Sequence, residues 1–295
     1  MIAIIQIVTD SCNDLPKELI QQYNIHVVPL YLYTGGKSYQ DGINISQEEA
    51  LQKIADAMEL PKTSQPAPSD FEKLFNELKD AGPILCLTLT SHLSGTNNSA
   101  NVAAQSSNAD ITVYDTLQGT FGQGFQVLLA AEMAKKGHSI PEIIEVLNQY
   151  REESYIYVAL ETLDNAIKGG RIKKSHGAIA KALNIKAIIE VKDGKVNVYD
   201  KVRGTQRTFQ RMLEILGEKK HDFSQMIVGI AHFNCPEKAQ IYKQAIMEKL
   251  KPKAVMLSLL NPTIAVYAGN QSVAVSLSPD PLSFLKRKTL KKQAK

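Results

Sequence analysis

Residues 84–100, ILCLTLTSHLSGTNNSA, contain the strand-to-helix turn around which the predicted fold is organised. The unbroken apolar run 84–89 is typical of a strand that is buried on both faces. The chain then passes through Ser91, Ser94 and Gly95 into a segment that is predicted to be helical. Such a turn presents free backbone N–H groups and the positive end of a helix dipole, which together favour anion binding. The sequence therefore predicts a buried strand followed by a turn that either binds an anion or only caps the next helix.

The surrounding sequence extends this pattern into two domains. Over residues 1–152, predicted strands and helices alternate, which is typical of a parallel sheet covered on both faces. Further on, Asp193-Gly194 joins two β-rich runs and predicts a hairpin, which favours a mixed sheet. We therefore predict an α/β protein with an N-terminal three-layer domain (1–152, mainly parallel sheet), a C-terminal α/β domain (153–285, mixed sheet) and a basic tail (286–295).

The charge distribution argues against a nucleic-acid partner. The tail holds six of the 34 basic residues, which leaves 28 basic against 30 acidic residues in the body of the chain. A nucleic-acid-binding domain usually carries its positive charge on its folded body. We expect the tail to be a solvated, frayed terminus, with a transient contact to a membrane surface or a partner as the alternative.

Composition also limits the cofactors and the compartment. No apolar run approaches the roughly 18 residues of a membrane span, so we expect no stable membrane insertion. The three cysteines, Cys12, Cys86 and Cys235, are far apart and odd in number, which favours reduced thiols in the cytoplasm. The histidines are scattered, and neither a Walker A sequence nor a GxGxxG motif occurs, so we expect no metal and no cofactor.

Three local expectations concern loops and helix ends. Asp14, just before Pro16, fits an N-cap. Residues 61–68, PKTSQPAP, are predicted to form a loop because proline and hydroxyl residues dominate them. Residues 171–175 are predicted to form a basic loop after the C-cap glycines Gly169-Gly170.

The chemistry of the candidate site stays open at this level. The hydrolase motif GxSxG is absent, but a triad of Ser94, His232 and Asp115 remains an alternative, because all three follow predicted strands. Arg171 and Arg203 lie beside glycines, and an arginine held in this way is suited to bidentate contact with a carboxylate or phosphate.

Seven short motifs occur in an order that resembles the DegV family. They span nearly the whole chain: Thr9-Asp10-Ser11, Thr63-Ser64-Gln65-Pro66, Leu93-Ser94-Gly95-Thr96, Asp115-Thr116, the LDNAIKGGRI element at 163–172, Arg203-Gly204 and Ala231-His232. The resemblance implies a two-domain α/β protein that binds one long-chain fatty acid between its domains. It also implies that the protein presents the acid to a separate fatty acid kinase and performs no covalent step itself.

The resemblance also implies roles for single residues. Thr63 and Ser94 would donate hydrogen bonds to the carboxylate, and Gly95 would place its N–H beside it; Ser91 is retained as a further ligand candidate. Arg171 would orient the headgroup or meet the kinase, and Arg203 would contact the kinase.

Tyr267 marks a departure from the family pattern. It stands in the late segment 261–271 where the family has a histidine that helps to bind the carboxylate. A tyrosine can donate a hydrogen bond, but unlike histidine it cannot become cationic. Two other functions stay open: an esterase or acyltransferase with Ser94 as nucleophile, and a lipid-responsive regulator that depends on the basic tail.

Overall fold

The computed structural model describes residues 4–173 and 184–293. The strands are β1 (Gln6–Asp10), β2 (His26–Val28), β3 (Tyr31–Thr34), β4 (Lys37–Gln40), β5 (Lys62–Ser64), β6 (Ile84–Thr88), β7 (Ile111–Asp115), β8 (Tyr155–Leu160), β9 (Ile185–Lys192), β10 (Lys195–Arg203), β11 (Met226–His232), β12 (Ala254–Leu259) and β13 (Val273–Pro279). The helices are α1 (Lys17–Gln22), α2 (Gln47–Ala55), α3 (Pro68–Leu78), α4 (Thr96–Ser106), α5 (Thr120–Lys135), α6 (Ile140–Glu152), α7 (Asp164–Lys168), α8 (Thr205–Gly217), α9 (Pro236–Lys249), α10 (Pro262–Ala268) and α11 (Pro281–Gln293).

The first sheet has the order β2-β1-β6-β7, and all its strand pairs are parallel. Every residue of β6 is buried, as its unbroken apolar run predicts. Helices α3 and α4 contact one face of this sheet and α5 contacts the other, so the predicted three-layer arrangement is confirmed. The C-terminal ends of β1 and β6 therefore lie side by side, each followed by a turn.

The second sheet is mixed and has the order β10-β9-β8-β13-β11-β12. Its strands pair antiparallel except β11 and β12, which are parallel. The β9–β10 turn is the predicted hairpin: Asp193 and Gly194 both have positive φ angles, 49° and 76°, as a type I′ turn requires. The predicted two-domain α/β class is thus confirmed, while the boundary at 152/153 stays a prediction.

Helix α5 joins the two sheets, because it is buried along almost its whole length and packs on both. At Gly229 in β11, a Cβ atom would lie 2.2 Å from the Phe121 ring of α5, so the close approach of helix and sheet depends on that glycine. One continuous apolar cluster contains side chains from both sheets.

Two of the local expectations are wrong. Asp14 is not an N-cap: it has φ 52° after a short 3-10 helix, and its buried carboxylate accepts a hydrogen bond from the Asn261 N–H at 2.8 Å. Residues 62–64 are not loop, because β5 pairs antiparallel with β3 in a small third sheet, β4-β3-β5. Both errors arise from partners distant in sequence, which local composition does not reveal.

Much of the predicted tail is helical. Helix α11 continues through Gln293, and residues 294–295 lie outside the described part of the chain. The Phe284 ring packs edge-on against Tyr150 at 5.1 Å, and Arg287 pairs with Glu153 at 2.6 Å. The Arg287 contact lies within the predicted tail, and the helical backbone continues beyond it. Residues 174–175 of the predicted basic loop lie outside the described residues, and within 4–173 and 184–293 no helix is long and apolar enough to cross a membrane.

Candidate ligand-binding site

A mostly apolar cavity of about 250 Å³ lies between the two sheets. One wall comes from alternate side chains of the second sheet, because successive residues of a strand point to opposite faces. These residues are Ile156, Val158 and Leu160 of β8, Ile189 and Val191 of β9, and Val196 of β10. The opposite wall comes from turns at the ends of first-sheet strands and includes Cys12, Leu30 and Leu89.

Polar groups converge at one end of this cavity, here called the polar end and comprising Thr63, Ser94, Gly95, Arg171 and Tyr267. The Thr63 Oγ1 and Tyr267 hydroxyl oxygens are 2.6 Å apart, and either can donate. The Arg171 guanidinium lies over the Tyr267 ring at 4.0 Å from its centroid, a cation–π contact. All five are partly buried, so the structure brings together four segments that are far apart in sequence.

Arg171 is held in place by backbone carbonyls. Its Nη1 donates to Gly169 O at 2.8 Å, and its Nε and Nη2 each donate to Leu93 O at 3.3 Å. Of its five N–H groups, two are left without a partner in the described chain, and they can meet an anion. A Cβ at Gly169 would lie 2.3 Å from the Tyr267 ring, so that glycine is required for the stacked arrangement.

Ser94 and Gly95 form the start of α4. Gly95 is the N-cap, and Ser94 Oγ lies 2.9 Å from Thr96 Oγ1 and accepts a weak bond from the Thr96 N–H at 3.4 Å. The Gln65 amide lies over Gly95, where a Cβ would be 2.2 Å from its Oε1, and Gln65 Nε2 donates to Ser99 Oγ at 3.1 Å. Hydroxyls at a helix N-terminus suit a carboxylate. Gln65 was not predicted as a site residue, although its place in the TSQP motif is a signal for it.

Two predicted residues lie away from the cavity. Ser91 is exposed, does not contribute to the cavity wall, and donates its N–H to Asp115 Oδ2 at 3.2 Å. Arg203 is exposed at the end of β10, where Lys201 and Arg207 line the same surface groove. The roles predicted for both residues remain predictions.

The hypothetical triad is not assembled. Ser94 bonds to Thr96, and Asp115 accepts from the N–H groups of Ser91 and Leu117. His232 ends β11 in the second sheet, and within the described residues its buried Nδ1 has no hydrogen-bond partner. Burial lowers the pKa of His232, but no bond links its ring to Ser94 or Asp115 in the described chain.

The Thr9-Asp10-Ser11 motif has a structural role. Asp10 is fully buried and accepts hydrogen bonds from the N–H groups of Leu89 (2.7 Å) and Cys12 (2.9 Å) and from Gln123 Nε2 (3.1 Å). Burial raises the pKa of Asp10 to about 6, against the opposing effect of these bonds. The carboxylate therefore fixes the turns after β1 and β6, which form one wall of the cavity.

Asn261 extends these interactions to the second half of the chain. Its Nδ2 donates to Ser11 O at 2.7 Å and to Asp41 Oδ2 at 2.5 Å, and its Oδ1 accepts from the Thr263 N–H at 2.9 Å and hydroxyl at 2.6 Å. Burial raises the pKa of both Asp14 and Asp41. We call Asp10, Asp14, Asp41, Asn261 and Thr263 the acid cluster. Despite its carboxylates, no group of three or more potential metal ligands occurs among the residues that the structure describes.

Comparison with known proteins identifies the family. A family model described as "Uncharacterised protein, DegV family" matches residues 4–280. The chain belongs to the DegV family. It is 35% identical over 270 residues to a DegV domain-containing protein of Staphylococcus aureus (strain COL), which covers 91% of this chain and 96% of that relative.

Solved structures of DegV proteins have the same fold. A DegV family protein from Thermus thermophilus, described as binding fatty acid, matches with a TM-score of 0.86 and 28% identity over 93% of this chain and 99% of its own. A DegV protein from Ruminococcus gnavus, described with vaccenic acid, matches with a TM-score of 0.82 and 28% identity over 93% and 99% of the two chains. The fold and the family predicted from the ordered motifs are therefore confirmed.

Proposed function

We propose that this DegV protein binds one long-chain fatty acid, with its chain in the cavity and its carboxylate at the polar end. The observation that carries the proposal is an apolar cavity that ends in hydroxyls, a helix N-terminus and an arginine, two of whose N–H groups have no partner among the described residues. This combination matches a ligand that is apolar along its length and anionic at one end. The fatty acids described for the solved DegV relatives support the same ligand class.

The energetics fit this ligand. Burying about 15 methylenes contributes roughly 12 kcal/mol before ordering costs, at about 0.8 kcal/mol for each. The polar end is therefore needed chiefly to orient the carboxylate. Arg171 supplies positive charge, while Thr63, Ser94 and Tyr267 supply hydroxyl donors, so no buried base or metal is required.

The binding proposal is tested by native mass spectrometry of protein purified from a bacterial host. We expect one bound acyl chain per protein, which denaturation releases as a free acid of long chain length. A ligand-free mass, together with no uptake of added palmitate or oleate, would refute the proposal.

We further propose that the protein is a carrier and not an enzyme, and that a cytoplasmic fatty acid kinase phosphorylates the bound acid using ATP. The exposed groove with Lys201, Arg203 and Arg207 offers a cationic surface for such a partner.

The test combines the loaded protein with a purified bacterial fatty acid kinase and ATP, and measures acyl phosphate. We expect Arg203→Ala to retain the fatty acid and to lower acyl phosphate formation; loss of the ligand instead would contradict this separation of roles.

The carrier role also predicts how Ser94 reacts. A fluorophosphonate probe labels a serine activated by a general base, and no such base bonds to Ser94 in the described structure. We expect Ser94 to remain unlabelled under conditions in which a serine esterase is labelled completely. Stoichiometric labelling that is lost in Ser94→Ala would favour the esterase or acyltransferase instead.

A further inference from the structure

The cavity adjoins a second depression in the surface. This polar groove, of about 150 Å³, is lined in part by Gln118, Arg151 and Lys192. Ile156 and Val191 line both the cavity and the groove. These two side chains therefore form a wall with apolar space on one side and a polar groove on the other.

The strand register explains how this wall is built. Val191 in β9 pairs with Ile156 in β8 on one side and with Val196 in β10 on the other. Three β-branched side chains therefore form a row across neighbouring strands on the cavity face. Leu160 lies at the end of β8 from which the chain continues towards Arg171. Ile156 is four residues before it, which is about 13 Å along the strand at about 3.3 Å per residue. The row thus separates the cavity from the groove, about 13 Å along β8 from the strand end that leads to Arg171.

The two shared residues differ in how firmly they are held. Ile156 is only 2% exposed, and a Cβ at Gly122 of α5 would lie 2.5 Å from its Cδ1, so the side chain fits against a glycine. Val191 is partly buried, as expected of a residue that faces both spaces. An acyl chain that reaches the row stops there unless one of these side chains gives way, because its methyl end gains nothing from a polar groove.

We propose that Ile156 and Val191 determine the longest acyl chain that the protein accepts. This inference rests on the proposed fatty-acid binding and assigns it a specificity determinant. Truncating Val191 to alanine removes two methyl groups from the wall, and the vacated apolar space can hold one or two further methylenes of the ligand.

The experiment measures the dissociation constants of saturated fatty acids from 14 to 22 carbons for the wild type and for variants of the wall. Each further buried methylene is worth about fourfold in affinity at about 0.8 kcal/mol. We therefore expect Val191→Ala to raise the affinity for the 20-carbon acid relative to the 16-carbon acid by about tenfold, with Ile156→Ala acting in the same direction. Val191→Leu adds bulk to the wall and should shift the preference towards shorter acids.

Ile189→Ala is the matched control. Ile189 lies on the same strand and lines the same cavity, but it does not line the groove. Its truncation should weaken the binding of every acid while leaving the ratio between chain lengths unchanged.

The outcomes separate the two proposals. If the wild type binds none of the acids, the proposed function fails. If the wild type binds them and both Val191 variants keep its ratio between chain lengths, the wall does not set the length, although fatty-acid binding stands. Should the buried Ile156→Ala variant fail to fold, the opposite shifts expected of the two Val191 variants still decide the question.

Discussion

The acid cluster and the polar end are both rich in side-chain oxygen atoms, yet they differ in burial and in bonding. Asp10, Asn261 and Thr263 are almost completely buried. The side chains of Asp10 and Asn261 bond to backbone groups, and the Thr263 hydroxyl donates to Asn261 Oδ1. The residues of the polar end are only partly buried, and two N–H groups of Arg171 have no partner in the part of the chain that the structure describes. Hydroxyl and carboxylate motifs at strand ends are therefore not equivalent: burial with internal partners indicates a structural role, and partial exposure with spare donors indicates binding.

The strongest test of this comparison is Asn261→Ala. The change removes the side chain that links Ser11 and Asp41 to the start of α10 and leaves buried polar groups without partners. We expect a loss of about 3–5 kcal/mol in the free energy of unfolding, measured by urea denaturation. Asn270→Ala, at an exposed position of the next turn, is the control and should change stability by less than about 0.5 kcal/mol. Equal stabilities of the two variants would contradict a structural role for the acid cluster.

A second test uses the raised pKa of Asp10. Because its folded-state pKa is about 6 and its unfolded value about 3.8, the folded protein holds this proton over that range while the unfolded chain releases it. The stability that this proton contributes is therefore fully present below about pH 4, decreases as pH rises towards 6 and is lost above that. For a pKa difference of about two units, the full contribution is roughly 3 kcal/mol.

The measurement compares wild type with Asp10→Asn by urea denaturation between pH 4 and pH 7. The comparison cancels the opposing contributions of Glu161, Asp200 and Asp280, whose pKa values are lowered. The stability of the wild type relative to the variant should decrease as pH rises. A difference that is independent of pH would show that Asp10 keeps an ordinary pKa in the folded protein.

The same comparison shows what the sequence can and cannot predict. The apolar run of β6 and the Asp193-Gly194 turn are local signals, and the structure contains the buried strand and the hairpin that they predict. By contrast, Asp14 was predicted to cap a helix, but its partner Asn261 lies 247 positions away. Strand β5 was missed for the same reason, since it exists by pairing with β3. Contacts between distant segments override local composition here.

The candidate site was predictable only in part. Three of the four segments that meet at the polar end, those with Thr63, Ser94-Gly95 and Arg171, lie in the ordered motifs. The cavity wall was not predictable, since an apolar residue such as Val191 has the same pattern whether it lines a cavity or fills a core. The sequence also does not distinguish Ser91 from Ser94, because both lie in the same turn, three residues apart. In the structure Ser91 is exposed to solvent, whereas Ser94 lines the cavity.

That pair of serines provides a smaller test, directed at the polar end. Ser94→Ala should weaken fatty-acid binding by about 1.5–3 kcal/mol, the value of a hydrogen bond to a charged group, as measured by calorimetry. Its stability should remain within about 0.5 kcal/mol of wild type, because the serine is only partly buried. Ser91→Ala is the matched control and should bind normally. If Ser91→Ala loses affinity and Ser94→Ala does not, the carboxylate binds at Ser91 and not at Ser94.

The smallest expected effect belongs to Tyr267→Phe, which separates the hydroxyl of this residue from its ring. The change removes the 2.6 Å bond to Thr63 but keeps the ring on which the Arg171 guanidinium lies. We expect fatty-acid affinity to fall by about 0.5–1.5 kcal/mol, because a neutral hydrogen bond is lost while the cation stays in place.

Tyr267→His is the informative companion to this variant. An imidazole titrates near pH 6.5 and becomes cationic below that pH. The affinity of the Tyr267→His variant for fatty acid should therefore increase as pH falls from 7.5 to 5.5, whereas the affinity of the wild type should show no such increase. A pH-independent Tyr267→His variant, together with unchanged binding by Tyr267→Phe, would place the carboxylate beyond the reach of position 267. Arg171, Thr63 and Ser94 would then hold the headgroup without this residue, and the bond from the Tyr267 hydroxyl to Thr63 would have a structural role only.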